Sequence, residues 1–225
     1  SENILRDIRY EFFEKVRAKN NFDTIAVGHN LEDQVETFLM RIIRGSGFQG
    51  LSAMRFKNRN IIRPLLGVTR AEILEYLEKN KLAYRIDKTN KANLFFRNKV
   101  RNQLIPYLEK NFNPKIKKTI FAATTSIGED YALIQEISEK VYKKNGNDMT
   151  NKFLSAKKIL KLHPALQRRI ILSFISEKKT NLKDIEAAHV SEIIKALKST
   201  KSKNQVVLSK GLKMTRKSDK VIFSN

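Results

Sequence analysis

The chain has 225 residues with 45 Lys+Arg against 23 Asp+Glu, which gives a formal net charge of +22. Hydrophobic residues make up 41% of the sequence, which excludes a disordered basic tail, and no apolar run reaches the roughly 20 residues that a membrane span requires. The absence of cysteine excludes disulfides and thiolate-held metals, and three scattered histidines do not make a metal site unaided.

The strong positive charge points to a polyanionic partner, and nucleic acid is the leading candidate. Each phosphate that a basic side chain contacts releases condensed counterions and strengthens binding. A lysine-rich surface that only confers solubility is the alternative. Because the chain shows no secretory signal, we expect a cytoplasmic protein that does not associate with membranes.

The first 112 residues alternate helices with short apolar strands. Helical periodicity predicts helices over 2–20 and 31–44, and Thr69 with Glu72 forms a capping box that opens a helix over 70–80. Strands or extended segments are predicted at 22–29, 61–66 and 84–87, and a Gly-rich loop at 45–50. This alternation predicts an α/β fold with a parallel sheet.

From about Arg97 onward the pattern changes. It predicts helices over 97–111 and 115–144, broken near Pro106 and Pro114, and then helices at 155–162, 165–175 and 182–197. The last strands, at 205–209, 211–217 and 220–224, predict a small antiparallel sheet. We predict an α/β domain over 1–112, a helical connector over 113–145 and a small basic α+β domain over 146–225.

The densest group of polar residues lies at 28–37, where an apolar strand turns into a helix. Ligands bind at this edge of an open parallel sheet. His29, Asp33 and Glu36 share one helix face, and two carboxylates beside an imidazole would suit binding an ammonium and removing its proton. The alternative is a solvated first helical turn, where the helix dipole favours acidic residues.

Several basic residues are weaker candidates. Arg44 and Gly45 lie in a Gly-rich loop whose amides could approach a phosphate, although the loop lacks the Lys-Ser/Thr of a P-loop. Arg97 and Arg101 form a fork suited to a carboxylate or phosphate, or simply an exposed basic face. Arg9, opposite the apolar stripe of the first helix, suggests by itself only a surface charge.

In the C-terminal part, basic side chains suit phosphate contact, and plain solubility is again the alternative. These residues are Lys157, Lys158, Arg168 and Arg169. The two histidines of this part, His163 and His189, are expected to be structural.

Taken in order, seven segments resemble the tRNA(Ile)-lysidine synthetases, ATP-dependent tRNA-modifying enzymes of the PP-loop group. They are RYEFF (9–13), GHNLEDQVET (28–37), RGSGFQGLSAM (44–54), IIRPLL (61–66), DKTN (87–90), RNKVR (97–101) with the following Ile-Pro, and HPALQRR (163–169). The resemblance covers nearly the whole chain. It implies the C-terminal part of a Rossmann-like parallel-sheet PP-loop domain, followed by the helical connector and the small α+β domain.

The resemblance also implies a reaction. The family converts the wobble cytidine of an isoleucine tRNA with a CAU anticodon into lysidine. ATP adenylates the C2 oxygen of the cytidine, and the ε-amine of free L-lysine then displaces AMP. The expected partners are therefore this tRNA, lysine and ATP, with Mg²⁺ accompanying ATP, and a homodimer is left open.

By resemblance, each candidate residue receives a role. The catalytic group is Arg9, His29 and Asp33; the lysine-binding group is Asp33, Glu36 and Arg101; the ATP-binding group is Gly28, His29, Arg44 and Gly45; and the tRNA-binding group is Lys157, Lys158, Arg168 and Arg169. Arg9 and His29 would stabilise charge that develops on phosphate or on the activated base. Asp33 and Glu36 would hold the lysine amines, and Arg101 would pair with a carboxylate.

One family signature is absent from these 225 residues: the Ser-Gly-Gly-x-Asp-Ser loop that cradles the pyrophosphate of ATP. We therefore expect on the order of 100 residues, a typical half-domain, upstream of Ser1, and we expect no ATP hydrolysis by these residues alone. Two alternatives stay open. One is another PP-loop tRNA-modifying enzyme of the 2-thiolation type, whose members commonly use cysteines; the other is a non-catalytic tRNA-binding remnant.

Overall fold

The computed structural model describes residues 2–85, 95–145, 153–178, 185–199, 203–207 and 211–224. The chain forms two compact units, residues 1–131 (unit 1) and 132–225 (unit 2). The boundary between the units falls inside a long helix, Ile116–Asn145. The division into 1–112, 113–145 and 146–225 stays a prediction.

Unit 1 begins with alternating helices and very short strands. They are α1 (Glu2–Lys19), β1 (Ile25–Ala26), α2 (Leu31–Ile43), α3 (Phe48–Leu51), β2 (Lys57–Asn58), β3 (Ile61–Ile62) and α4 (Arg70–Lys79). In the sheet, β1 pairs parallel with β3 and β2 pairs antiparallel with β3, in the order β1-β3-β2. The predictions of α1, α2 and α4 are confirmed. The predicted loop at 45–50 is wrong in part, because its second half forms α3.

Local side-chain chemistry fixes where α2 and α4 begin. The Asn30 Oδ1 atom accepts from the Asp33 N–H at 3.0 Å, and the Asp33 Oδ2 atom accepts from the Asn30 N–H at 3.0 Å. Thr69 and Glu72 form the same reciprocal box at α4. Each box satisfies helix N–H groups that have no partner in the first turn. The capping box predicted at Thr69 is therefore confirmed.

A helical segment with a π-helical centre follows. It consists of α5 (Phe96–Lys99), a π-helical turn (Val100–Leu104) and α6 (Ile105–Asn111), and α7 (Ile116–Asn145) comes next. The predicted break near Pro106 is wrong. A proline has no backbone N–H to donate, and its ring clashes with the carbonyl group four residues earlier in a regular α-helix. Here a π-helical turn lies immediately before Pro106, and the helix continues through the proline. Of the predicted strand at 84–87, residues 84–85 are not in a strand and 86–87 lie outside the described residues.

The core of unit 1 forms around the apolar face of α2. Leu31, Val35 and Leu39 pack with Val100 and Ile105, and Ile120 of α7 completes the cluster. The apolar stripe of α1 lies elsewhere and is exposed: its residues are Ile4, Leu5, Ile8, Phe12 and Val16, with exposed fractions between 38% and 65%. The core therefore fixes α2 against the π-helical segment, which positions the side chains described below.

Unit 2 contains the end of α7 and a compact α+β arrangement. Its further elements are β4 (Leu154–Ser155), α8 (Ala156–Leu160), α9 (Pro164–Lys178), α10 (Ala187–Lys198), β5 (Lys203–Val207), β6 (Lys213–Lys217) and β7 (Lys220–Ser224). All neighbours in the sheet, ordered β4-β7-β6-β5, pair antiparallel. The predicted antiparallel sheet is confirmed, and β4 extends it by one strand. Within the described ranges, no helix is long and apolar enough to cross a membrane.

A candidate anion and ammonium site at the start of α2

Two carboxylates of α2 meet two arginines of the π-containing helix. Arg97 donates from Nη2 to Asp33 Oδ1 at 2.7 Å and from Nε to Glu36 Oε2 at 2.6 Å. Arg101 donates from Nε to Glu36 Oε1 at 2.5 Å and from Nη2 to Glu36 Oε2 at 3.0 Å. We call these four residues the quartet. The two arginines are four residues apart on one helical segment, so both guanidinium groups lie on one face and reach the same carboxylate.

The two carboxylates of the quartet differ in their exposure to solvent. The side chain of Glu36 is fully buried, whereas Asp33 keeps 19% of its side chain exposed. The hydrogen bond from Arg101 to Glu36 raises the pKa of Arg101, and burial opposes this effect. A buried carboxylate is stable only when it is paired and hydrogen-bonded. Glu36 is therefore the anchor of the two arginines, and Asp33 is the carboxylate of the quartet that a ligand can reach.

Asp33 makes two hydrogen bonds through its carboxylate and one through its backbone carbonyl. Its Oδ2 caps the Asn30 N–H, its Oδ1 accepts from Arg97, and its backbone carbonyl accepts from the Thr37 hydroxyl at 2.7 Å. A carboxylate that is held in this way needs little ordering when a cation binds. The capping box thus orients the carboxylate as well as starting the helix.

His29 lies between β1 and α2, and its ring is held from one side. The Nε atom of Arg63, immediately after β3, donates to His29 Nδ1 at 3.1 Å. Burial lowers the pKa of His29 to about 4; Asp33 acts in the opposite direction, and Arg63, Arg97 and Arg9 lower the pKa further. His29 is therefore uncharged at neutral pH.

A cavity of about 460 Å³ opens beside these residues. Its lining consists of Leu5, Arg6, Arg9, His29, Thr37, Met40, Arg41, Arg44, Met54 and Arg97. Five of these side chains are arginines, and burial, assisted by the charge of Arg6, lowers the pKa of Arg41. Clustered guanidinium groups in a concave site favour an anion with several oxygens, such as a phosphate chain.

The segment that follows α2 is folded onto it by polar contacts. Gln34 donates to the Met54 carbonyl at 2.9 Å and accepts from the Met54 N–H at 2.8 Å, and Arg41 donates to the carbonyls of Gly50 and Ala53. Gly45 has a φ of +75°, which a residue with a side chain rarely adopts, and it lets the chain turn at the end of α2. These contacts place Met54 on the cavity wall.

The structure gathers most of the residues that the sequence singled out in unit 1. Asp33, Glu36 and Arg101 lie in the quartet, while Arg9, His29 and Arg44 line the cavity. Gly28 is exposed just before His29, and Gly45 lies beyond Arg44, outside the residues that line the cavity.

Sequence reasoning missed Arg6, Arg41 and Arg63 as parts of the site. Arg63 lies inside the IIRPLL segment, so the sequence identifies its motif, but it does not predict the contact of Arg63 with His29. Arg97 was visible only as half of a fork with Arg101. Among the described residues, no group of three or more His, Asp and Glu is arranged to hold a metal ion.

In unit 2, the basic candidates differ in their surroundings. Lys157, Lys158 and Arg168 are exposed, and Arg169 is partly buried. Gln167, from the same QRR segment, is buried and donates to the carbonyls of Leu160 and Leu162. The exposed three are thus available to a large anionic partner.

Other polar side chains of unit 2 cap helices. Arg216 donates from Nη1 to the carbonyls of Ala196, Leu197 and Ser199 at the end of α10. His163 and His189 accept backbone N–H groups at the starts of α9 and α10. These contacts agree with the structural role predicted for both histidines.

The family of unit 1 follows from a comparison with known proteins. Residues 1–108 match the model of the PP-loop domain family. These residues are a PP-loop domain. The predicted α/β class is thereby confirmed.

Curated relatives extend the similarity over the rest of the chain. The tRNA(Ile)-lysidine synthases of Clostridium tetani and Clostridioides difficile are 38% and 34% identical to it over 88% and 100% of its length. The bifunctional protein TilS/HprT of Listeria innocua is 33% identical over 93%. The resemblance inferred from the motifs is confirmed. The chain spans 43%, 49% and 33% of the lengths of these relatives, so it corresponds to less than half of each.

Among solved structures, the U34-tRNA thiolase NcsA from Methanococcus maripaludis, with its [4Fe-4S] cluster, is 28% identical. The match covers 57% of this chain and 44% of the thiolase chain, with a TM-score of 0.45.

Proposed function

We propose that the protein takes part in the ATP-dependent ligation of lysine to the wobble cytidine of isoleucine tRNA with a CAU anticodon, which forms lysidine. The observation that carries the proposal is the position of Asp33, a partly exposed carboxylate whose partner Arg97 also lines the arginine-rich cavity. Relatives whose names give this activity also support the proposal. The reaction belongs in the cytoplasm, where tRNA, ATP and lysine meet.

The cavity fits the anionic part of ATP. Arg9, His29 and Arg44, expected at the nucleotide from the sequence, are joined there by Arg6 and Arg41. These groups donate hydrogen bonds and carry no negative charge, so they match phosphate oxygens and the charge that develops when the cytidine oxygen attacks. Gly28 would contribute its backbone N–H at the edge, whereas the Gly45 N–H is donated to the Ile42 carbonyl, so Gly45 would act by letting the chain turn beside Arg44. Mg²⁺ would accompany ATP, and we assign no residue of this chain to it.

The quartet fits lysine. Asp33 would receive the ammonium group and take a proton from it as the amine becomes a nucleophile. Arg101 would pair with the lysine carboxylate. Glu36, also expected at the amines, is enclosed by arginines, so it would reach lysine only by exchanging one of them. In the transfer step the amine nitrogen bonds to C2 of the adenylated cytidine, and AMP leaves with the former C2 oxygen.

Basic side chains of unit 2 would hold the tRNA. Lys157, Lys158, Arg168 and Arg169 carry positive charge that suits phosphates, and contacts of this kind give affinity and register without reading bases. A homodimer would appear as a doubled mass in light scattering.

The experiment is incorporation of labelled lysine into an isoleucine tRNA transcript with a CAU anticodon, using the protein expressed from its own gene. We expect transfer that depends on ATP, and we expect Asp33→Asn to abolish it while tRNA binding is kept. Asp23→Asn, an exposed aspartate outside the site, is the matched control. Loss of tRNA binding in Asp33→Asn alone would make Asp33 structural.

The same assay separates the alternatives. Sulfur incorporation in place of lysine would indicate a 2-thiolation enzyme, although the chain has no cysteine. Binding of tRNA with neither reaction would indicate a tRNA-binding remnant.

A further inference from the structure

Arg63 is a buried arginine whose side chain points at a histidine. Its exposed fraction is 5%, and it follows β3 directly. Its Nε donates to His29 Nδ1 at 3.1 Å, its Nη1 donates to the Arg55 carbonyl at 2.9 Å, and its own N–H donates to the Phe56 carbonyl at 2.8 Å. Two hydrogen bonds of the guanidinium group and one of the backbone therefore hold Arg63 in place beside the imidazole.

The direction of the Arg63–His29 hydrogen bond determines where the ring proton is. A guanidinium group has N–H donors and no acceptor, and it stays protonated in proteins. The Nδ1 atom of His29 must therefore present its lone pair to Arg63. In a neutral ring, the single proton is then on Nε2.

The surroundings of His29 keep the ring neutral. Charged groups face it from each neighbouring element: Asp33 on α2, Arg97 on α5, Arg9 on α1, and Arg63 after β3. Burial and the three arginines lower its pKa to about 4 against the opposing effect of Asp33. A second proton, on Nδ1, would also point at the N–H of Arg63 Nε, so two donors would face each other without an acceptor.

We propose that Arg63 is a positioning residue that fixes His29 as the Nε2–H tautomer and makes it a hydrogen-bond donor to an anionic group in the cavity. His29 lines that cavity, and within the described part of the chain its Nε2 has no hydrogen-bond partner. A neutral imidazole in this tautomer donates at Nε2 and cannot accept a proton there. The role of this donor in lysine transfer rests on the proposed function, and the base in that reaction is then Asp33.

The tautomer can be measured directly by NMR on the protein expressed from its own gene. Nitrogen-15 shifts distinguish a protonated ring nitrogen from an unprotonated one, and His29→Asn identifies the His29 signals among those of the other histidines. We expect one neutral form between pH 8 and pH 5, with the proton on Nε2. A proton on Nδ1, or a doubly protonated ring at pH 7, would overturn the proposal.

Substitutions of Arg63 test whether this residue is the cause. Arg63→Met removes the donor and keeps a long side chain, and Arg63→Lys keeps the charge without the planar fork. We expect Arg63→Met to give both tautomers and to raise the pKa of His29. Arg55→Met is the matched control, because it removes a nearby cation but leaves the backbone carbonyl that Arg63 contacts. An unchanged tautomer in folded Arg63→Met and Arg63→Lys would show that another group fixes the ring.

Inorganic pyrophosphate serves as the probe for the donor role. We expect its addition to shift the His29 Nε2 signal in the wild type, and we expect a weaker response in Arg63→Met. A shift that is absent at saturating pyrophosphate would overturn the donor assignment. None of these measurements uses lysine or tRNA, so failure of the lysine-transfer assay and failure of this inference are separate results.

Discussion

The two units bury different kinds of side chain. Among the described residues, unit 1 buries Asn30, Gln34, Glu36, Ser52, Arg63, Asn98 and Thr124, whereas unit 2 buries Ser138 and Gln167 beside a large apolar cluster. Buried polar groups stabilise little and are costly when unpaired, whereas buried apolar groups stabilise in proportion to their area. In unit 1, buried polar residues such as Glu36 and Arg63 position side chains of the site beside an apolar core, whereas the interior of unit 2 is mainly apolar and supports its helices and sheet.

The largest expected effect of a substitution is at Glu36. Glu36→Gln removes the charge that both arginines of the quartet pair with, and breaking a buried pair costs about 3–5 kcal/mol. Urea unfolding followed by circular dichroism measures the loss. Glu11→Gln, in an exposed pair with Lys15, is the control and should be close to the wild type. A cost below 1 kcal/mol would show that Glu36 is free to leave the arginines.

A substitution that creates a void in the apolar core of unit 2 tests the other half of this comparison. Ile193 is fully buried, and Ile193→Ala should cost about 2–4 kcal/mol because it removes apolar contacts and leaves a void. Pyrophosphate binding by unit 1 should not change. Val207→Ala, at a residue that is 63% exposed, is the control. If Ile193→Ala weakened pyrophosphate binding, the separation of roles between the units would be wrong.

His29 gives unit 1 a pH dependence in a defined window. Its folded pKa of about 4 lies below the unfolded value of 6.5, so the unfolded chain takes up the proton first as the pH falls. The contribution of the neutral His29 ring to the free energy of unfolding is complete above pH 6.5 and is lost as the pH falls towards 4. Its size is at most about 3 kcal/mol, and less because the ring is only partly buried. Unfolding free energies at pH 7, 5.5 and 4.5 should fall more steeply for the wild type than for His29→Asn, and equal slopes would contradict this.

The predictable part of the fold depends on local chemistry. The Thr69 and Glu72 box, the periodicity of α2 and the strand pattern of the C-terminal sheet each depend on residues close in sequence. The faces of α1 show the limit, because spacing reveals an apolar stripe without revealing what packs on it. Phe12 remains 61% exposed, and Arg9, which the sequence suggests only as a surface charge, lines the cavity.

The site was predictable in composition but not in its pairings. His29, Asp33 and Glu36 stand together in one segment, so their shared helix face was evident from spacing alone. Their partners Arg63 and Arg97 come from 34 and 64 residues away from His29 and Asp33, and no local pattern encodes such contacts. The π-helical turn was equally hidden, because it depends on how the helix accommodates Pro106 while packing on α2.

The smallest expected effect concerns the basic surface of unit 2, where charge is exposed and screened by salt. Lys157→Gln with Arg168→Gln should weaken tRNA binding and flatten the plot of log K against log salt by up to about 2, since each lost phosphate contact releases about one counterion fewer. Fluorescence anisotropy at several salt concentrations measures both quantities.

The control for this surface is Lys195→Gln with Lys198→Gln, which removes the same charge from exposed positions at the end of α10. If both double variants flatten the slope equally, the tRNA responds to the overall charge of the unit and no particular face is the contact. If only the first does so, α8 and α9 meet the phosphates. In that case Gln167 supports the tRNA contact indirectly. Its hydrogen bonds to the carbonyls of Leu160 and Leu162 hold α9 against the end of α8, and these two helices carry Arg168 and Lys157.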